Sequence, residues 1–557
     1  MNDTVVKIIG TDMEFGNFVL GEDSPYNTCS EASRAIHRAA SGIAPAGRYG
    51  GGYIVRYGPD DGQSGSGAGW DPQDHDRKWL PSNGASFYID SSHFEGCTPE
   101  VRSAHDFVAA KHAMLRLAQE ALARANAAMP AGKRVVALAN NSDGRGNSYG
   151  SHINVLITRR CYENIFGRLN YMGLLATFNA SAVVFGAGKV GSENERPPAA
   201  YQLSQRADFA MALVGLQTMF NRPLINSRDE SLCGERRGGG PRLARLHIIC
   251  MDNTLCHIGT LLAAGCSQLV LAMLEQGCVD ANLMLEDPLG AVLTWSHDPA
   301  LEARALAVSG AEYTVAEMQA ALLERAKKFV DAGRAEGVVP RAADIIAAWE
   351  SVVGQLLARD YGALARRLDW AAKLGMLHRA MARRPDLKWE SPEIKALDHR
   401  YSSLDPAEGL YFQFDRQGIL ERVAGDAEIE RFVHEPPEDT RAWLRAHLLR
   451  RADPEAVADV DWDEVLFRFR RESDGRGWRE YDYIKVDMSD PLGSTRLQCG
   501  AAVERAGSLR ETLLALGGKA ETDGAAAEAP QSNGDAAAGD RNTSKEVCDE
   551  NVGPEIR

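Results

Sequence analysis

Residues 83–95 read NGASFYIDSSHFE, and both the fold and the chemistry of the chain turn on this stretch. From Ala85 to Ile89 small or apolar residues alternate with aromatic ones, the period-two pattern of a strand, and the strand runs straight into Asp90, His93 and Glu95. Three groups able to take a proton or bind a metal therefore gather at one strand's end. Upstream, KIIGTDMEFG (residues 7–16) reads as a second strand. Its Asp12 and Glu14 are two residues apart, so an extended backbone sends both carboxylates to one face and Met13 to the other. Neighbouring carboxylates repel each other and lose hydration, which asks for a compensating cation; a hard divalent metal is the expected one.

The chain has 557 residues, 44% of them hydrophobic, enough for two or more domains around a large core. Its 62 Lys and Arg against 77 Asp and Glu leave a net charge of -15, which argues against a general nucleic-acid binder. No run of eighteen apolar residues is apparent and MNDTVVKIIG lacks the features of a signal peptide, so the expectation is a cytoplasmic protein with no membrane partner. The ten cysteines show no CxxC pair, which suggests buried thiols rather than disulfides or a zinc knuckle.

Working outward, Thr28 and Glu31 have capping-box spacing at the start of a packing helix. Residues 50–82 are rich in Gly, Asp and Ser with interspersed aromatics and read as a lid-like loop. A long helix is expected from Pro99 to about Ala128, with His105 and His112 as packing residues. RVVALANNSDGRGNSYGSHINVLITRR and ASAVVFGAGKVG (residues 180–191) both read as strands with loops. FGAGKVG lacks the GK[ST] of a phosphate loop, so a tight turn is its plain reading. Arg206, Arg222 and Arg228 lie in a stretch with apolar neighbours; they are candidates for gripping a polyphosphate or for internal salt bridges. RLHIICMDN (residues 245–253) reads as a strand, on which His247 alone looks like a core histidine. From Leu255 the pattern is mainly helical, with Thr314 and Glu317 as a capping box and Gly333 as a stop signal. VDWDEVLFRF and YDYIKVDM read as strands of a smaller unit, residues 425–516. Residues 517–557 have the composition of a disordered tail.

KIIGTDMEFG, NGASFYIDSSHFEGCTPE, NNSDGRGNSYGSHINVLI, YQLSQRADF, INSRDE and RLHIICMDN, in this order, resemble the family of Pup ligases and Pup deamidase/depupylases, relatives of glutamine synthetase. The resemblance runs from about residue 5 to residue 510. It implies an α+β protein: a glutamine synthetase-like catalytic domain over residues 1–424, with a curved antiparallel sheet backed by helices and holding ATP and Mg²⁺, then a small C-terminal α/β domain. It places Asp12, Glu14, Glu95, His152 and His247 as metal ligands and Arg206 and Arg228 at the nucleotide phosphates. Asp90 matches the catalytic aspartate, as nucleophile or as base.

The function so implied is an ATP- and Mg²⁺-dependent deamidase and isopeptidase that acts on a Pup-like modifier and its conjugates, with a functional link to a proteasome as a further implication. The alternatives are a ligase joining the modifier's C-terminal Glu to substrate lysines, and a weakly active modifier-binding regulator. The short spacing from Asp90 to Glu95 and the 50–82 loop resemble the depupylase branch, as do SYGSH and VDWDEVLF. GAGKVG and LEDPLGAVLTWSHD lean towards the ligases. Four positions depart from the family pattern: Asp12 stands for Glu, Phe94 for Pro, Ile153 for Glu and Leu232 for His.

Overall fold

The computed structural model describes residues 4–41, 43, 53–54, 77–218, 221–233, 242–471, 481–505 and 507–522. Its organising element is an eight-stranded antiparallel sheet. The strands are β1 (Ile9–Leu20), β2 (Tyr53–Ile54), β3 (Lys78–Trp79), β4 (Ser86–Asp90), β5 (His93–Cys97), β6 (Arg134–Leu138), β7 (Ser151–Thr158) and β8 (Leu243–Ile248). They lie in the order β8-β7-β1-β5-β4-β3-β2. The twelve residues of β1 carry two partners along one edge: Ile9–Met13 pair with β7 and Gly16–Leu20 with β6. Both strands expected at residues 7–16 and 85–89 form, and they are joined through β5.

Alternation decides what each face of the sheet does. Met13, Phe15, Phe87 and Phe94 are fully buried in the main core, and Phe94 stacks on Phe87 with ring centroids 4.9 Å apart. The helices Cys29–Ala40, Ala104–Ala127 and His257–Glu275 contribute to the same core. His257–Glu275 is long and apolar enough to cross a membrane, which the sequence reading overlooked; it is wholly buried here, as the central helix of a large core is.

The capping box at Thr314 and Glu317 forms as expected, and two other local expectations fail. Thr28 does not cap its helix; its hydroxyl accepts the Val19 N–H at 2.7 Å instead, which ties the helix to β1. Residues 180–185 are not a strand but the end of the helix Leu169–Ser181 and a 3-10 turn over Ala182–Phe185. A helix buried on all sides loses its periodicity, so a short apolar run cannot be told from a strand. Ile153 is buried on the core face of β7, so position 153 takes no part on the opposite face where His152 lies.

A second core gathers Trp443, Leu448, Val465, Phe467, Ile484 and Leu513. Trp79 of β3 inserts into it and donates its indole N–H to Val460 O at 3.1 Å. The unit differs from the expected 425–516 at both edges. Ile429, Phe432 and Val433 belong to the main core, and Lys519–Thr522, expected in the tail, pairs as a strand with Tyr481–Asp487. The four-stranded sheet of this unit is antiparallel throughout, which corrects the α/β expectation to α+β. Most of the proposed lid loop, and the tail beyond residue 522, lie outside the described residues.

Candidate active site

Strand register brings the polar residues together. Glu14 stands opposite Glu95 and Asp12 opposite Cys97, while on its other side Asp12 stands opposite His152. Tyr88 pairs with Glu95 and Asp90 with His93, and His247 pairs with Asn154. Paired residues share a face and every second residue repeats it, so Tyr88, Asp90, Glu95, Glu14, Asp12, His152 and His247 all rise from the face opposite the main core.

One ligand atom from each of Glu14, Asp90 and Glu95 lies within 4.8 Å of the other two. Asp90 thus belongs to the carboxylate cluster itself, whereas the sequence reading set it apart from the metal ligands. Glu95 is 1% exposed. Its Oε1 accepts the Tyr88 hydroxyl, and its Oε2 is buried with no hydrogen-bond partner among the described residues. Burial, and then the negative charges of Asp12, Glu14 and Asp90, push the Glu95 carboxyl well above its ordinary range. The Arg77 guanidinium lies 3.8 Å over the Tyr88 ring and fixes its plane. Gly150 is required here by close approach: a Cβ would collide with Glu14 Oε1 and the His152 ring.

Asp12 is engaged differently. Its Oδ1 lies 3.1 Å from His152 Nδ1 and accepts the His152 backbone N–H at 2.9 Å. Burial works to raise the Asp12 carboxyl, yet His152, followed by His247 and Arg245, holds it well below the usual carboxylate range. His152 Nε2 is buried with no partner among the described residues. His247 Nδ1 lies 2.7 Å from Asn154 Oδ1. Burial, then the charges of Arg245 and His152, push its imidazole well below the ordinary range. Arg245 Nη1 lies 3.0 Å from the same Nδ1, and a neutral imidazole is the form that ligates metal.

The arginines separate into two kinds. Arg206 is 4% exposed, and neither of its terminal nitrogens has a partner among the described residues. Arg222 donates one terminal nitrogen to Ser148 O while the other, like the Ser148 hydroxyl, is buried without a partner among the described residues. Burial, and then the positive charge of Arg206, lower the Arg222 guanidinium to about 9. Two guanidiniums that repel each other and keep unused donors among the described residues have the chemistry to bind an oxyanion. Arg228 instead pairs with Glu230 at 2.7 Å and is half exposed on the cavity wall.

A cavity of about 250 Å³ opens over this face, lined by Asp12, Asp90, Glu95, His152 and His247 at one end. Arg441, Trp462 and Pro491 of the small unit line it as well. So does Leu232, which has a left-handed φ of +49° and whose carbonyl accepts Arg441 Nη1 at 2.6 Å. Of the expected site residues, Asp12, Asp90, Glu95, His152, His247 and Arg228 line this cavity, whereas Glu14, Arg206 and Arg222 do not; Glu14 joins it through the Asp90–Glu95 cluster. The sequence reading missed Tyr88, Asn154 and Ser148. Tyr88 was within reach, because it precedes Asp90 by two residues on the same strand face.

A family model described as Pup-ligase protein matches residues 7–466. The depupylase of Acidothermus cellulolyticus is 34% identical over 440 residues, covering 79% of this chain and 83% of its own length. The Pup deamidase/depupylase of Mycolicibacterium smegmatis is 32% identical over 520 residues, covering 92% and 99%. The Pup–protein ligase of Kineococcus radiotolerans is 34% identical over 387 residues, covering 68% and 82%. Among solved structures, the crystal structure of the complex between the prokaryotic ubiquitin-like protein Pup and its ligase PafA matches with a TM-score of 0.69 over 92% of each chain, at 22% identity. At that identity the likeness concerns the fold.

Proposed function

Because the chain belongs to the Pup-ligase protein family, we propose that it is an ATP- and Mg²⁺-dependent hydrolase of a Pup-like modifier, removing a C-terminal amide or the isopeptide bond to a substrate lysine. The observation that carries the reading is the juxtaposition on one sheet face of the Glu14–Asp90–Glu95 carboxylate cluster with His152, whose Nε2 is buried with no partner among the described residues. Oxygen donors with one imidazole suit a hard divalent cation, and the unused donors of Arg206 and Arg222 suit the phosphate of a nucleotide bound through it. Asp12 and Asn154 would orient His152 and His247 from behind.

When bound, the cation would supply positive charge that neutralises the carboxylate row and polarises the acyl group, and the negative charge of the nucleotide's phosphates would be met by Arg206 and Arg222. The chain's own part is to place Asp90 at the carbonyl. As base, Asp90 removes a proton from water while the water oxygen bonds to the carbonyl carbon. The C–N bond then breaks, and the proton leaves with ammonia or with the lysine amine. In the alternative, the Asp90 carboxylate itself attacks the carbonyl carbon, the C–N bond breaks as the amine takes a proton from water, and the hydroxide so formed opens the resulting anhydride to the same products.

The depupylase reading is favoured over a ligase because the deamidase/depupylase relative matches along 92% of this chain and the ligase relative along 68%. Identity does not separate the two, and the ligase reading keeps the same residues with Asp90 taking the proton from the attacking lysine. The test incubates the chain with ATP, Mg²⁺ and a Pup-type modifier, free and lysine-conjugated, followed by mass spectrometry. Loss of the amide or release of the modifier supports the reading. Accumulation of new conjugates replaces it with the ligase, and metal-dependent nucleotide binding with no turnover of either kind leaves a modifier-binding regulator.

A further inference from the structure

The turn that carries Asp90 into the site is held in an unfavourable backbone form. Asp90 and His93 are paired across the β4–β5 hairpin, so Ser91 and Ser92 alone make the loop. Both have left-handed φ, 45° and 77°. That is the geometry of a type I′ turn, which Asn-Gly adopts readily and two serines do not. Such a conformation persists only where the surroundings impose it.

Asn17 of β1, 2% exposed, supplies the constraint. Its amide nitrogen donates to Ser92 O at 3.2 Å and to Cys29 O at 2.7 Å, and its Oδ1 accepts the Phe94 N–H at 3.0 Å. One side chain thus holds the turn at Ser92 and the strand leaving it at Phe94, and anchors both to the start of the helix Cys29–Ala40. Ser30 of that helix adds a hydroxyl contact to Ser92 at 2.7 Å. Within the turn, Ser91 Oγ donates to Asp90 Oδ1 at 3.0 Å, so the orientation of the serine backbone passes to the aspartate carboxylate. The clip depends on residue 94 having an N–H, which phenylalanine offers and a proline would not.

We propose that Asn17 is a positioning residue for Asp90: by forcing the Ser91–Ser92 turn it keeps the Asp90 carboxylate within the Glu14–Glu95 cluster. The inference rests on the hydrolase reading for its effect on turnover, and on the hairpin geometry alone for its effect on the cluster. A displacement of the reacting group by about 1 Å costs on the order of 10²-fold in rate. A glycine at position 92 adopts positive φ without assistance.

The experiment compares the full-length wild type with Asn17→Ala and with Asn17→Ala/Ser92→Gly. It measures kcat and KM for modifier cleavage, nucleotide Kd, affinity for Mn²⁺ alone, and hydrogen exchange at the Phe94 amide. We expect Asn17→Ala to lower kcat by about tenfold or more, with nucleotide Kd within a few fold, weaker Mn²⁺ binding and faster exchange at Phe94. Ser92→Gly should restore most of kcat and Mn²⁺ affinity, a rescue that a merely structural role of Asn17 at the helix Cys29–Ala40 would not show. Unchanged kcat and Mn²⁺ affinity in Asn17→Ala, or losses that Ser92→Gly does not repair, overturn the proposal. If the wild type itself cleaves no modifier, the hydrolase reading fails by that result, and the pattern of Mn²⁺ affinity across the three proteins decides on the clip.

Discussion

Glu14 and Glu95 face each other directly across the β1–β5 pairing, with Asp90 in the same 4.8 Å cluster. Like charges at paired strand positions destabilise a sheet, so this row is poised for a cation. Adding Mg²⁺ or Mn²⁺ at about 100 times its Kd should stabilise the protein by about 2.7 kcal/mol, read as a rise in melting temperature. Glu95→Gln should melt no lower than the wild type without metal, and should lose the metal-induced rise.

Tyr88 leaves Glu95 with one oxygen to offer, because its hydroxyl occupies the other. Removing a partner that orients a metal ligand typically costs ~10–100-fold in metal affinity. Tyr88→Phe should therefore weaken Mn²⁺ binding in that range while leaving the fold intact, since the ring stays beneath Arg77. Calorimetric titration with Mn²⁺ is the direct check.

Arg222 should matter more than Arg228 for nucleotide binding. A hydrogen bond from a charged donor contributes about 1.5–3 kcal/mol, so Arg222→Leu is expected to weaken ATP affinity on the order of tenfold or more. It should not lower the melting temperature of the nucleotide-free protein, because it removes a buried cation with an unused donor. Arg228→Ala, which breaks a half-exposed pair with Glu230, should have the smaller effect. The opposite ranking in a fluorescent-nucleotide titration would refute the receptor described above.

Asp90→Asn should abolish turnover and keep nucleotide affinity within a few fold, because it removes the acid–base group while easing repulsion in the cluster. Single-turnover assays beside ATP titration separate the two effects. Full activity in this variant would show that the reacting group lies elsewhere.

Glu100 joins the small unit to the sheet, accepting from Arg441 at 2.8 Å and from Arg445. Arg445 also packs over Trp79 and Trp462, 4.9 and 4.8 Å from their rings. Burial alone would raise the Glu100 carboxyl, but the charges of Arg445 and Arg441 lower it from 4.5 to about 2. A depressed carboxylate contributes stability that is present above the unfolded value and lost as pH falls through the folded one. The contact should therefore weaken between pH 4.5 and about 2, visible as a change in tryptophan fluorescence, and Glu100→Gln should remove that pH dependence.

Much of the site was legible in the sequence because its signals are local. Period-two alternation fixes which side chains share a strand's face, so Asp12 with Glu14 followed from spacing alone, whereas Asp90 and Glu95, on different strands, meet only through the β4–β5 hairpin. What stayed hidden depends on which strands meet. Glu14 opposes Glu95 through register, and register between strands about eighty residues apart is decided by packing of the whole core. Arg228 looked equivalent to Arg206 and Arg222 in the chain; the structure distinguishes them by partners, Glu230 for one and, among the described residues, none for the terminal nitrogens of Arg206. The helix over residues 180–181 and the 3-10 turn after it read as a strand because burial on all sides erased the periodicity that would have identified them.

By itself the sequence determined the strand faces, the family through its ordered motifs, and the acidic and imidazole groups on which the chemistry must draw. Tertiary structure alone decided that Asp90 enters the carboxylate cluster, that Tyr88 occupies one oxygen of Glu95, and that Asn17 closes on the Ser91–Ser92 turn. The division has one physical cause. Backbone geometry repeats over a few residues and is written locally, whereas the charge, solvation and partners of a buried group are set by whatever the rest of the chain brings within hydrogen-bonding distance.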